Sequence, residues 1–182
     1  MKVLIPQIGS QGQSVLPNVS IPDAAALEIR PATVQDVHGI SALVNEFAYS
    51  KVMLPRGPQY LYEHIMDYNV VSVTDKDTGE DMVVACGSIH VLWEDLAEIC
   101  SLAVHPDCQR SGLGTRFVEK LVQRSLLVGV RRIFVFTLAV KFFTACGFEL
   151  MPREDIPPIV WAECSRCPKF YHCDEVGMIR VL

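Results

Sequence analysis

The sequence predicts an α/β fold, in the α+β sense: a mixed, mostly antiparallel central sheet flanked by helices. Three observations predict it. The chain has 182 residues, which suits one domain of roughly 100–200 residues. Its composition is 50% hydrophobic and 20% charged, which excludes a disordered chain. Segments of helical and strand period alternate, and residues 131–137 are nearly all apolar through Ile133, Phe134, Val135 and Phe136, as in a strand buried on both faces.

Residues 1–27 differ from the rest. An apolar run at 1–5 gives way to a polar stretch at 9–14, then to Pro17, Pro22 and three alanines without a clear period. They read as an N-terminal arm, draped on the domain or on a partner, which leaves 28–182 as the folded domain. Residues 27–31 alternate as a short strand. Thr33 and Asp36 start a helix, the hydroxyl capping first-turn amides and the carboxylate complementing the dipole. Val37, Ile40, Leu43, Val44 and Phe47 form its apolar stripe.

A loop at 54–58 holds Arg56 in a proline-stiffened segment and precedes a second helical stretch at 59–67. Strands follow at 70–74 and 82–92, separated by a turn at 75–79. Trp93-Glu94-Asp95 reverses the chain into a strand at 97–104. Residues 112–128 make a long amphipathic helix, with Leu113, Phe117, Leu121 and Val128 on one stripe and Gly129 at its end. After the 131–137 strand come a short helix at 141–146, closed by Gly147, and a final strand at 176–182. There are no internal repeats.

Chemistry concentrates at 101–115. A strand ends in Leu102-Ala103-Val104, a loop turns, and Gly112-x-Gly114 opens the long helix. Glycines there remove Cβ atoms that would block close approach, and first-turn amides have no partner within the helix. A pyrophosphate can sit on such a terminus, aided by the dipole. A bare Gly-x-Gly is equally a plain strand-to-helix turn. The wider context, Gln109-x-x-Gly112-x-Gly114 after a Leu-Ala-Val-His-Pro strand, resembles the coenzyme A loop of the GCN5-related N-acetyltransferases (GNAT). Residues 142–148, Phe-Phe-Thr-Ala-Cys-Gly-Phe, resemble that family's later helix-to-strand signature.

The resemblance implies the GNAT acyl-CoA N-acyltransferase fold over 28–182 and acetyl-CoA as co-substrate. It implies coenzyme A contacts from Leu102, Ala103, Val104, Gln109, Arg110, Ser111, Gly112, Leu113, Gly114, Thr115 and Phe143. A narrower resemblance runs through 92–99, Leu54-Pro55-Arg56, and Cys164-x-x-Cys167-Pro168-Lys169-Phe170 to Cys173-Asp174-Glu175. These segments look like the short, single-domain bacterial N-acetylglutamate synthases. That implies acetyl transfer to the α-amine of L-glutamate, the first step of arginine biosynthesis.

By period two, Glu98 shares a face with Cys100, Leu102 and Val104. An apolar face raises a carboxyl's pKa and suits Glu98 to act as a base. From the pattern alone it also reads as a structural carboxylate bonded to a neighbouring amide; the resemblance gives it the role of base. Arg56 reads as a solvated loop charge or as a bidentate clamp for a substrate carboxylate, and the resemblance implies the second. Ser101 matches a further substrate-contacting position.

Two departures from the family pattern stand out. Many GNAT enzymes carry a tyrosine in the late helix that protonates the departing thiolate; here the residue is Phe143, and Thr137 is the nearest candidate donor, with solvent as an alternative. Longer synthases place a substrate-binding arginine just after the preceding strand; here the stretch is Leu138-Ala139-Val140.

Cys164-x-x-Cys167 is a good zinc half-site, but Cys173 with adjacent His172 makes a poor second half. Packed free thiols are favoured over a structural metal or a disulfide, so no metal is expected. The formal charge of −5 argues against nucleic acid, which needs a basic face. No stretch reaches the roughly 18–20 apolar residues of a membrane span, and no secretory segment follows Met1. A soluble, cytoplasmic protein is expected, most of its seven cysteines reduced, and a homodimer is compatible with the sequence. Three other readings stay open: acetylation of another amino acid or small amine, a non-catalytic acetyl-CoA-binding regulatory module, and an interaction domain acting through the arm.

Overall fold

The computed structural model describes residue 16 and residues 24–74, 79–165, 167 and 169–182. Most of the expected arm, and residues 75–78 of the expected turn, lie outside the described residues. Seven strands form one sheet in the order β1-β2-β3-β4-β5-β7-β6. They are β1 (Arg30–Pro31), β2 (Tyr68–Thr74), β3 (Asp81–Trp93), β4 (Leu96–Val104), β5 (Arg132–Thr137), β6 (Glu149–Leu150) and β7 (Val176–Val181). The helices are α1 (Val37–Tyr49), α2 (Pro58–His64), α3 (Leu113–Leu127), α4 (Val140–Ala145) and α5 (Trp161–Cys164). Among the described residues the β4–β5 pair is parallel and the other pairs are antiparallel.

The sheet separates two apolar layers. α1 and α2 lay Val37, Ile40, Leu43, Phe47 and Leu61 against Tyr68, Val70, Cys86 and Ala103. α3 and α4 cover the opposite face, where Phe117, Leu121 and Phe142 meet Ala85, Ile99, Val104 and Ile133. Burial of a large apolar side chain is worth roughly 1.5–3 kcal/mol, so both stripes read from the sequence anchor the fold, except at Val128, which follows α3 and is exposed. A smaller cluster of Leu96, Phe134, Ile156 and Val160 seats the tail segment on the α1 side of the sheet.

Sequence expectation and structure differ at several places. The first strand pairs only through Arg30 and Pro31. Upstream, Leu27 turns into the core, and its carbonyl accepts from Arg116 Nη2 at 2.9 Å. Leu16, in the expected arm, packs against the α1 layer. The helix beginning near Thr33 starts as a 3-10 turn, Val34–Asp36. There Thr33 and Asp36 close a capping box, and the Thr33 hydroxyl also donates to Asp36 Oδ2 at 2.9 Å. β6 and α5 have no period in the sequence, being too short to show one.

Asp36 holds the start of α1 to the sheet. Its carboxylate accepts both arms of the Arg30 fork, at 2.8 and 2.7 Å, and the Thr33 N–H at 2.7 Å. Burial pushes its carboxyl up, but the hydrogen bonds from Arg30 and Thr33 outweigh that and hold it below its ordinary value. A carboxyl lowered in the folded state stabilises above its unfolded pKa of about 3.9 and loses that contribution as pH falls. Denaturant unfolding measured from about pH 6 down to about pH 3 should show stability falling over the acid limb, with Asp36→Asn flattening it. Parallel curves for the two proteins would show that Asp36 is not coupled to folding.

Candidate active site

β4 and β5 are hydrogen-bonded neighbours only at their starts, where Leu96, Ala97 and Glu98 stand in register with Arg132, Ile133 and Phe134. Among the described residues their pairing stops at Glu98, although β4 runs on to Val104 and β5 to Thr137. The opening begins at a β-bulge. Ser88 opposes Cys100 and Cys86 opposes Ala103, so Ser101 and Leu102 together face Gly87. Ser101 adopts the left-handed region with φ of 53°, uncommon for a residue with a Cβ.

Two β3 side chains take up the carbonyls displaced there. Ser88 Oγ donates to the Cys100 carbonyl at 3.2 Å, and Cys86 Sγ to that of Ser101 at 3.6 Å. A Cβ on Gly87 would stand 3.1 Å from Phe117 and 3.2 Å from Leu102, so the partner of the bulge is held to a very small residue.

The bulge corrects the face expected for Glu98. Alternation persists from Glu98 to Cys100, then flips: Ala103 packs in the α1 layer, while Leu102 and Val104 pack in the α3 layer. Glu98 therefore shares a face with Cys100 and with His90, its partner on β3, and not with Leu102 or Val104. The inserted residue breaks the period of two.

The gap opens into a cavity of about 420 Å³. Glu98, Ser101, Leu102, Ala103 and Val104 line it from β4 and Thr137 from β5; Arg56 and Phe143 line it from neighbouring elements. Gln109, Arg110, Gly112, Gly114 and Thr115 line its other end. Ser111 and Leu113, expected among the binding residues, are not in the wall. Ser111 instead ties the turn, its Oγ donating to the Cys108 carbonyl at 2.6 Å and accepting from Leu113 N at 3.4 Å. Leu113 points into the core with 1% exposure.

Local chemistry shapes each wall. Arg110 and Gly112 take positive φ, 64° and 85°, to swing the chain from the loop into α3. Gln109 Nε2 donates to the Val104 carbonyl at 3.0 Å and braces the end of β4 against that turn. Gly112, Gly114 and Thr115, at the start of α3, line the cavity, and first-turn amides without partners inside a helix attract anions.

Arg56 is held through its backbone. Asn45 Oδ1 accepts from its N–H at 3.1 Å, while Asn45 Nδ2 and Ser41 Oγ donate to its carbonyl at 3.0 and 3.3 Å. Its guanidinium lies 4.2 Å over the Tyr60 ring, and Nε donates to Ser101 Oγ at 3.4 Å. Burial pushes the neighbouring Tyr68 phenol up to about 12, with the Ser101 hydroxyl beside it. Thr137 Oγ1 accepts from Ala139 N at 2.9 Å, and its hydroxyl proton can still be donated. Phe143 is an aromatic wall, edge-on to Phe142 and Phe148 at 5.0 and 5.2 Å.

Sequence reasoning missed the third wall. The tail folds back so that Arg153, Trp161 and Glu175 line the same cavity as Glu98, with Arg153 4.8 Å over the Trp161 ring. Lys169 Nζ straps this segment down, donating to the Lys51 carbonyl at 3.0 Å and to Asp174 at 3.1 Å. Burial holds the Glu175 carboxyl above its ordinary value. Cys164, Cys167 and Cys173 are free thiols in this wall. Burial, reinforced by the Glu98 charge, pushes the Cys164 thiol up to about 11.

A sheet with its middle strands splayed beside a helix N-terminus, and a carboxylate at the fork, defines an acyl-transferase type of site. The sequence profile of the acetyltransferase (GNAT) family matches residues 39–148, and the chain belongs to that family. It is 33% identical over 159 residues to an uncharacterized N-acetyltransferase of Chlorobaculum tepidum, covering 87% of this chain and 99% of that one. It is 33% identical over 138 residues to an amino-acid acetyltransferase of Mycobacterium tuberculosis, covering 76% of this chain and 77% of that protein. A Mycobacterium tuberculosis protein solved in complex with CoA superimposes with a TM-score of 0.69 at 30% identity, covering 85% of this chain and 99% of that one. No helix among the described residues is long and apolar enough to cross a membrane.

Thiol labelling should follow this burial. With iodoacetamide at about pH 8, Cys167 and Cys173 react first and Cys164 later, while Cys86 and Cys108, pushed up by burial to about 12 and about 11, stay unmodified in the folded protein. Early modification of Cys86 by mass spectrometry would contradict the packing at the bulge.

Proposed function

We propose that this GNAT acetyltransferase moves the acetyl group of acetyl-CoA onto the α-amine of L-glutamate. One observation carries the reading. Glu98, at the fork of β4 and β5, shares its cavity with the guanidinium groups of Arg56 and Arg153, besides Arg110 at the α3 end. An ammonium flanked by two carboxylates matches that set: one base and two cations in a chain of net charge −5. Arg153 offers a second cation although Leu138-Ala139-Val140 supplies none. The amino-acid acetyltransferase relative at 33% identity supports an amino acid as acceptor, as do the synthase-like segments around Arg56, Glu98 and Cys164.

The mechanism follows from the walls. The stretch of β4 beyond Glu98, which β5 does not pair, gives an extended pantetheine arm an edge to lie along. The α3 N-terminus and Arg110 suit its pyrophosphate. Glu98 accepts a proton from the amino acid's ammonium, directly or through a water, and the freed amine attacks the thioester carbonyl carbon. The carbon–nitrogen bond forms, the carbon–sulfur bond breaks, and the nitrogen's second proton passes to the thiolate through the Thr137 hydroxyl or through solvent. Arg56 holds a substrate carboxylate by a charge-assisted fork.

Release of free thiol from acetyl-CoA, followed with each amino acid in turn, tests the reading. L-Glutamate should give the highest kcat/KM; brisk turnover of another amine with none of glutamate would overturn the substrate and leave the class. Acetyl-CoA binding without turnover of any amine would favour a non-catalytic module. Glu98→Gln should lower kcat by about 10²-fold or more while acetyl-CoA still binds. Arg56→Ala should raise the KM for glutamate by about 10-fold or more, the loss of one charged hydrogen bond, and leave that for acetyl-CoA unchanged.

A further inference from the structure

Acetylating an ammonium with a thioester releases one net proton. The nitrogen gives up two protons, the departing thiolate keeps one, and the other has to reach solvent before the base can act again. Glu98 lines the cavity, and with both substrates in place its acid form is cut off from water on that side.

Behind Glu98 the fold supplies another way out. The β3–β4 register pairs His90 with Glu98, and directly opposed residues of an antiparallel pair put their Cβ atoms about 4.5–5.5 Å apart on one sheet face. His90 is buried, with 9% exposure. Its Nε2 lies 3.7 Å from Asp67 Oδ2, and the same oxygen lies 3.4 Å from His64 Nδ1. The two imidazoles stack, centroids 5.0 Å apart and planes 12° from parallel. Asp67 and His64 reach the surface, each with 37% of its side chain exposed. None of the three lines the cavity. A carboxylate in the cavity is thus followed by a buried imidazole, then by a carboxylate and an imidazole open to water on another side.

We propose that His90, held by Asp67, is a positioning residue that carries the proton collected by Glu98 out to solvent at the His64–Asp67 edge. This rests on the reading of Glu98 as base. The Glu98 acid passes its proton to a ring nitrogen of neutral His90. The imidazolium, paired with the Asp67 carboxylate, releases a proton to water at the surface, and Glu98 returns as carboxylate. Imidazole suits the middle position because it both takes and gives a proton near neutral pH. The groups that face His90 are Glu98 from β4, Asp67 from the turn after α2, and His64 and Tyr60 from α2. Tyr60 is 6.3 Å away, ring to ring, and carries Arg56 over its own ring.

Two measurements test it. The first needs no turnover: titrate the His90 ring by NMR in wild type, Glu98→Gln and Asp67→Asn. Glu98 is the cross-strand partner of His90 and Asp67 lies 3.7 Å from its ring, so each substitution should lower the midpoint by about half a unit or more. An unchanged midpoint in Glu98→Gln would overturn the relay, whichever amine the enzyme acetylates. The second uses the best acceptor of the wild-type enzyme. His90→Gln should lower kcat about tenfold, leave the KM for acetyl-CoA unchanged, and make turnover rise with the concentration of imidazole or phosphate buffer, because a small base now replaces the relay. Wild-type kcat with no buffer dependence in His90→Gln would overturn it. Lack of activity toward L-glutamate alone would defeat only the substrate reading, since the NMR titration still decides the relay.

Discussion

The bulge at Ser101 is the constraint on which the rest of the molecule depends. One extra residue on β4 breaks the ladder with β3 and reverses the alternation of side chains between Cys100 and Ala103. It lies beside the point where β4 and β5 part. A residue with a Cβ in the left-handed region costs of order 1–3 kcal/mol, and the surroundings offset it. Ser88 and Cys86 satisfy the displaced carbonyls, Gly87 makes room, and Arg56 reaches the Ser101 hydroxyl. The distortion is built in by several elements at once, which makes it a feature of the fold and not a slack strand end.

From that irregularity the layout of the site follows. Because pairing ends at Glu98, the carboxylate sits at the closed end of a wedge whose open end meets the start of α3. The wedge has the edges that β4 and β5 do not share along its sides, a helix terminus at one end and the base at the other. The α1–α2 loop brings Arg56 and the tail brings Arg153 to the Glu98 side of the sheet. Cations thus gather at the cavity in a chain that is acidic overall. Paired directly with His90, Glu98 shares its face of the sheet, and the side chains that join the α3 layer beyond the bulge, Leu102 and Val104, stand on the other.

The strongest signals in the sequence were local ones. The Gln109–Gly114 turn combines glycine, a helix start and a preceding apolar strand within a few residues, and the structure places those pieces where the pattern suggests. The apolar stripes of α1 and α3 were legible because packing against a sheet enforces a 3.6-residue period. The bulge was not legible on β4 itself, since no glycine or proline marks Ser101; its one trace is Gly87, on the opposite strand. The third wall was hidden for another reason. The tail is held by a small apolar cluster around Ile156 and Val160 and by isolated contacts such as Arg153 over Trp161 and the Lys169 strap, which leave no periodic imprint. The Ser41–Asn45 clamp on the Arg56 backbone joins residues distant in sequence, which local patterns cannot register.

The most direct test of the account is a crystal structure of the full chain with acetyl-CoA bound. It should place the pantetheine arm between residues 99–104 of β4 and 135–137 of β5, the pyrophosphate on the turn from Gln109 to Gly114, and the thioester beside Glu98. An arm bound elsewhere, or β4 and β5 hydrogen-bonded along their full length with the bulge closed, would contradict it.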